Sequence, residues 1–161
     1  MIEDKFQYNS VVVAKYIVAY ANENRYAINI TKLQKLLYIT YGIYLAVTNE
    51  RLTNEHPQAW PFGPVFPTTR KRLLKKDLDT ITMSDEDLKE ISKDSNMISL
   101  MNLVFSTFGS YTASALTAWS HKPDSPWDKA RKSPLFIWGD VISDELIIDY
   151  FKERVIFKKN S

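Results

Sequence analysis

The sequence predicts an α-dominated fold: a single compact multi-helix domain over residues 1–161 with a small β-hairpin insert. Three observations carry that expectation. The stretch Thr31–Val47, TKLQKLLYITYGIYLAV, is apolar around most of a helical cylinder, and such a helix belongs at the centre of a packed domain. Helix-start signals then recur along the chain, at Asn9 or Ser10, Thr31, Ser84, Thr112, Ser125 and Ser143. Between them lies one stretch, RLTNEHPQAWPFGPVFP, that holds four of the seven prolines and excludes a helix.

Each element has a local reason. Asn9 or Ser10 caps a first helix, VVVAKYIVAYANEN, whose core face is Val13, Ile17, Val18, Tyr20 and Ala21. The central helix is expected to open with a capping box between Thr31 and Gln34. Leu33, Leu36, Leu37, Tyr41, Tyr44, Leu45 and Val47 then follow at three- and four-residue steps, which places them on one face. In the proline-rich stretch, Glu50–Leu52 and Gln58–Phe62 are expected to pair as the hairpin. Pro67 suits the first position of a basic helix, PTTRKRLLKK.

In the acidic segment Asp77–Asp94, Ser84 is expected to cap a helix whose first turn carries Asp85, Glu86 and Asp87. MISLMNLVFSTF reads as a helix closed by Gly109 in a left-handed C-cap. Thr112 opens a helix through Leu116 and Trp119, and Ser125-Pro126-Trp127-Asp128 opens a short one through Arg131. The last helix starts at Ser143 and buries Leu146, Ile147, Tyr150 and Phe151.

Composition bounds the function. A chain of this length buries about two-thirds of its unfolded surface and needs no metal or disulfide to fold. The absence of cysteine excludes thiolate nucleophiles and cysteine zinc sites, and fits the cytoplasm. MIEDKFQYN does not read as a signal peptide, and no run approaches the ~18 apolar residues of a membrane span. A net charge of +2 does not by itself imply nucleic acid. No glycine-rich phosphate loop is present, and no metal or cofactor is expected.

Candidate sites are few. His56, in a polar turn before Pro57, is expected on the surface. His121 with Asp124 and Ser125 invites a hydrolase reading, but Ser125 is better explained as a helix cap, and no catalytic residue is assigned. His121, Trp127 and Arg131 are read as structural: Trp127 packed between helices, Arg131 paired with a carboxylate or with helix-end carbonyls. Trp60, Phe62 and Phe66 sit on a proline-stiffened loop whose docking costs little ordering entropy, and aromatic residues are favoured interface anchors. With Arg70, Lys71 and Lys75 they form the expected partner-binding surface. Trp60 and Phe66 as core plugs are the competing reading. The run Arg70–Lys76 also offers an alternative, a nucleic-acid-binding regulator with this segment as one positive helical face, although Asp77 to Asp87 follow closely enough to neutralise it.

Four stretches together resemble one known family. Lys32–Tyr38 matches a K-L-Q-K-L-L-Y/F helix. Trp60, Gly63, Pro64, Val65, Phe66 and Pro67 match a Trp-x-x-Gly-Pro-Val-hydrophobic-Pro loop. His121, Pro126, Trp127, Ala130 and Arg131 match a segment with a His followed by P-W-x-x-A-R, whose start is looser here, and Ile142–Phe151 fits a closing helix. The chain thus resembles the Panacea domain of SocA-like antitoxins and phage-associated GepA-like proteins. That resemblance implies a helical, non-enzymatic protein from a prophage or toxin–antitoxin pair. Its partner would be a cognate toxin, neutralised by direct binding or by delivery to an ATP-dependent protease. The DNA-binding domain fused in some relatives has no counterpart in these residues.

Overall fold

The computed structural model describes residues 5–156. The helix α2 (Ile30–Thr48) runs through its centre, with 14 of 19 residues buried, which covers its whole circumference. Its cap is Asn29, whose side chain accepts the Lys32 N–H at 2.8 Å. Thr31 therefore lies inside the first turn, and the expected Thr31–Gln34 box does not form. Asn29 reaches the same kind of orphan amide from two residues earlier, which frees Gln34 to point inward. At Gly42 a Cβ would stand 2.4 Å from the ring of Phe151, so α2 and the C-terminal helix meet at a distance only glycine permits.

Around α2 pack α1 (Ser10–Glu23), α4 (Ser95–Phe108), α5 (Ala113–Ser120) and α7 (Asp144–Tyr150), which continues into a π-helical turn, Phe151–Ile156. Asn9, Asp94, Thr112 and Ser143 cap them with side-chain acceptors. Gly109 follows α4 in right-handed geometry, φ −59°, not the left-handed cap expected. Glycine is needed there for space, because a Cβ would meet the Phe105 carbonyl at 2.5 Å and the Tyr26 ring at 2.7 Å.

Four three-residue strands make two small sheets. β1 (Phe6–Tyr8) pairs in parallel with β2 (Arg51–Thr53). β3 (Gln58–Trp60) pairs antiparallel with β4 (Gly63–Val65), joined by Pro61 and Phe62. The hairpin exists, but Glu50–Leu52 does not supply its partner strand. A two-residue connection closes at lower loop entropy than the longer turn, and the Leu52 region is claimed by the N-terminal strand. The open edge of β3 is covered by residues 139–142: Gly139 donates to Ala59 O, Ala59 to Asp140 O and Ile142 to Pro57 O.

The helix α3 (Pro67–Leu73) follows with proline in its first turn, but it stops before Lys75 and Lys76. It has no cap of its own. The Glu55 carboxylate caps it from outside, accepting the Thr68 and Thr69 N–H groups and the hydroxyls of Thr69 and Ser10. The acidic segment forms three single 3-10 turns at Leu78–Thr80, Glu86–Leu88 and Ile91–Lys93. Ser84 caps nothing there; its hydroxyl pairs with Thr82. Ile81, Leu88 and Ile91 are the buried hydrophobics of that stretch, too few for the apolar stripe that stabilises a longer helix. No helix among the described residues is long and apolar enough to cross a membrane.

Candidate partner-binding site

The β3–β4 hairpin is pinned from both sides by residues of the sequence motifs. From α2, Gln34 clasps the backbone of Phe66: it accepts the Phe66 N–H at 2.7 Å and donates to the Phe66 carbonyl at 3.3 Å. One position on, Lys35 donates to the Pro64 carbonyl at 3.3 Å. From the other side, α6 (Pro126–Arg131) sends the Trp127 indole N–H to the Trp60 carbonyl at 2.7 Å. At Gly63, φ is +115° and a Cβ would meet the Lys35 stem at 2.7 Å and the Ser120 hydroxyl at 2.8 Å. The hairpin therefore follows the lysine stem closely because position 63 is glycine.

Between the hairpin, the start of α2, α3 and α5 lies a surface pocket of about 380 Å³. Ile30, Trp60, Phe62 and Val65 form apolar walls, and Lys35 and Arg70 contribute cations. The remaining lining groups are uncharged; no Asp or Glu reaches the pocket among the described residues. Ile30 and Thr31 belong to the first turn of α2, the positive end of its dipole. Lys35 is 2% exposed. Burial alone pushes its amine down to about 8 from the ordinary 10.5. Lys32, also buried, differs: its ammonium lies 2.6 Å from the Gly109 carbonyl, where the chain leaves α4.

The residues expected to meet a partner divide sharply. Phe62, at the hairpin tip, is 74% exposed. Trp60 is half-buried, with the Arg70 guanidinium 5.6 Å from its ring centroid. Lys71 and Lys75 are exposed. Phe66 is not part of this surface: it is 0% exposed and packs edge-on against Tyr41, so the core-plug reading holds for it. The expected single basic face is likewise broken, because Lys75 and Lys76 lie beyond the end of α3 and Arg70 turns toward Trp60.

The His121 group forms a brace beside the hairpin. His121 ends α5, and its ring stacks on Trp127 at 3.8 Å and 8°. Burial, followed by nearby Lys35, keeps the imidazole below its ordinary pKa, so it is neutral at pH 7. Its Nε2 is buried without a hydrogen-bond partner. Trp127 is 6% exposed. Arg131 lies 5.1 Å over the Trp127 ring and pairs with Asp128 at 3.0 Å. The Ser125 hydroxyl donates to the Ser120 carbonyl and accepts the Asp128 N–H, so both its roles are taken by capping.

Several residues that shape the site were not singled out from the sequence. Gln34 and Lys35 are adjacent polar residues on a mostly apolar helix, and that was the available signal. Glu55 was hidden in a polar turn. His56 is half-buried instead of surface-exposed, with Nδ1 4.0 Å from Asp144, a buried carboxylate that also accepts from Tyr41 and Arg51. The loop Leu135–Trp138 exposes Leu135, Ile137 and Trp138 at 89%, 71% and 51%. An apolar run between Pro134 and Gly139, outside any helix, was its sequence signal.

Fold and pocket define a helical domain with a preformed, cationic surface site and, among the described residues, no cluster able to hold a metal ion. Residues 33–128 match the family model of the SocA-like antitoxin, Panacea domain. The chain belongs to that family. It is 31% identical over 134 residues to Antitoxin SocA of Caulobacter vibrioides (strain NA1000 / CB15N), an alignment covering 74% of this chain and 70% of the relative. No solved structure matches the chain. The family match takes in α2 from Leu33, the hairpin and Trp127, and ends at Asp128, short of Arg131 and α7.

Proposed function

We propose that this protein is an antitoxin that neutralises a cognate toxin by direct contact, through the hairpin tip and the basic helix beside it. The observation that carries the reading is Phe62, a large aromatic side chain 74% exposed on a hairpin held by hydrogen bonds from two helices. Such a residue meets a partner with little conformational entropy left to lose. Exposed aromatic anchors of this kind supply a disproportionate share of binding energy. Arg70 and Lys71 favour an acidic partner and raise its encounter rate without supplying most of the affinity. The divided basic segment, with Arg70 half-occupied by Trp60, supports this reading over the nucleic-acid regulator. Direct contact also accounts for the site without a second partner such as an ATP-dependent protease.

The test begins with the reading frame beside this one, expressed alone to establish toxicity and then with this protein to establish rescue. Phe62→Ala should weaken the purified complex by about 1–3 kcal/mol, mainly through faster dissociation, with melting unchanged. Arg70→Glu with Lys71→Glu should slow association, most at low salt. Unchanged rates in both variants would place the interface elsewhere.

A further inference from the structure

The geometry points to the pocket beneath Phe62 as a receptor for a carboxylate on a short apolar stem, supplied by an acidic side chain of the bound protein partner. This rests on the reading that the hairpin face binds a protein, and it names the chemistry that the face selects.

The charge inventory of the pocket comes first. Lys35 and Arg70 line it beside Ile30 and Thr31 of the first turn of α2, and no carboxylate answers them among the described residues. Lys35 is the unusual member. It is 2% exposed, yet its ammonium, with three protons to donate, has one long hydrogen bond, to Pro64. Cations buried this deeply normally have a paired anion, since leaving the charge unpaired is costly. Lys32, one turn earlier, shows the ordinary solution, a short bond to a carbonyl where α4 ends.

The lysine is also fixed in place. Its stem passes against Gly63, where a single added carbon would collide with it. A carboxylate entering the pocket would supply the missing acceptors to a donor already positioned, which is the cheapest way to gain a charge-assisted bond. The walls suit the rest of such a side chain. Ile30, Trp60 and Val65 offer apolar surface to methylene groups, and about 380 Å³ is enough for one or two side chains. Lys35 is the one deeply buried cation of the lining, which matches a monoanion better than a phosphate.

A protein source fits the rim. Phe62 is part of the pocket wall and is also the most exposed aromatic residue described, so whatever fills the pocket is covered by the same contact that buries Phe62. That is the arrangement of an anchor in a pocket ringed by apolar contacts that exclude water.

Two arms test the assignment on the full chain. In the first, 4-phenylbutyrate and its uncharged amide are titrated into the ¹⁵N-labelled protein. The acid should shift the backbone N–H signals of residues 30–36 and of Gly63, Val65 and Phe66, and its uncharged amide should not. Lys35→Met should weaken acid binding at least tenfold, while Lys89→Met, at an exposed residue that does not line the pocket, leaves it unchanged. Equal binding of acid and amide, or full binding by Lys35→Met, overturns the carboxylate site. In the second arm, Lys35→Met should raise the Kd for the growth-arresting product of the adjacent reading frame at least tenfold, and millimolar 4-phenylbutyrate should compete with that protein. If probe binding depends on Lys35 while toxin binding by Lys35→Met and its competition are unaffected, the partner assignment is overturned and the antitoxin reading stands. If wild-type protein does not bind the toxin at all, both the partner assignment and the antitoxin reading fall.

Discussion

Replacing Lys35 with methionine should make the free protein more stable. Methionine keeps most of the length of the stem against Gly63 and removes an ammonium on a residue that is 2% exposed. Burial lowers that amine from 10.5 to about 8. At ~1.4 kcal/mol for each tenfold change, the charged form is disfavoured in the fold by about 3 kcal/mol. Losing the bond to Pro64 returns roughly 1 kcal/mol, leaving a net gain near 2 kcal/mol at neutral pH. The pH dependence gives a sharper signature. The folded pKa lies below the unfolded one, so between pH 8 and 10.5 the unfolded chain holds more protons at this residue. Its contribution to stability is therefore fully present above 10.5 and lost as pH falls through 8. The advantage of Lys35→Met should be constant below pH 8 and shrink steadily above it. Urea melts of both proteins at pH 6.5, 8, 9 and 10 measure this difference, in which the titrating tyrosines cancel. A variant less stable than wild type by 1 kcal/mol or more, with no change in the gap as pH rises, would show that Lys35 is satisfied in the free fold. The reasoning about the pocket would then fail.

Two further outcomes test the brace around the hairpin. Trp127→Ala removes an indole 6% exposed and its hydrogen bond to Trp60, and should cost ~3–5 kcal/mol in thermal or urea melts; wild-type stability with lost toxin neutralisation would make the segment a contact site instead. Gln34→Leu should cost ~1–3 kcal/mol, because the buried Phe66 N–H loses its acceptor while the Phe66 carbonyl keeps the Arg70 N–H. A neutral result would mean that the hairpin repacks without its clasp.

What could be read from the sequence was what local chemistry determines. The burial of α2 follows from its composition, and the caps at Asn9, Thr112, Ser125 and Ser143 and the proline opening α3 follow from two or three neighbouring residues. Pairing of three-residue strands does not. Arg51–Thr53 had two possible partners, and the choice fell to Phe6–Tyr8, more than forty residues away. Thr31 was the expected cap, but α2 starts earlier, at Ile30, and Asn29 caps it. In the site, the exposure of Phe62 and the burial of Phe66 depended on where the hairpin docks, which the spacing of prolines leaves open. Lys35 was least legible of all. A lysine on an apolar helix is ordinarily placed at the surface, and only the approach of Gly63 and Pro64 turns it into a buried cation facing a pocket.

Hydrogen exchange of the protein, free and bound to the proposed toxin partner, tests the central claim most directly. Binding through the hairpin and its pocket should slow exchange in residues 30–36 and 58–73 and leave the C-terminal half of α2 and its groove against α4 as they are in the free protein. That groove, of about 310 Å³ and lined by Val47 and Leu103, is the competing apolar surface. Protection confined to it, with residues 58–73 exchanging as in the free protein, would contradict the assignment.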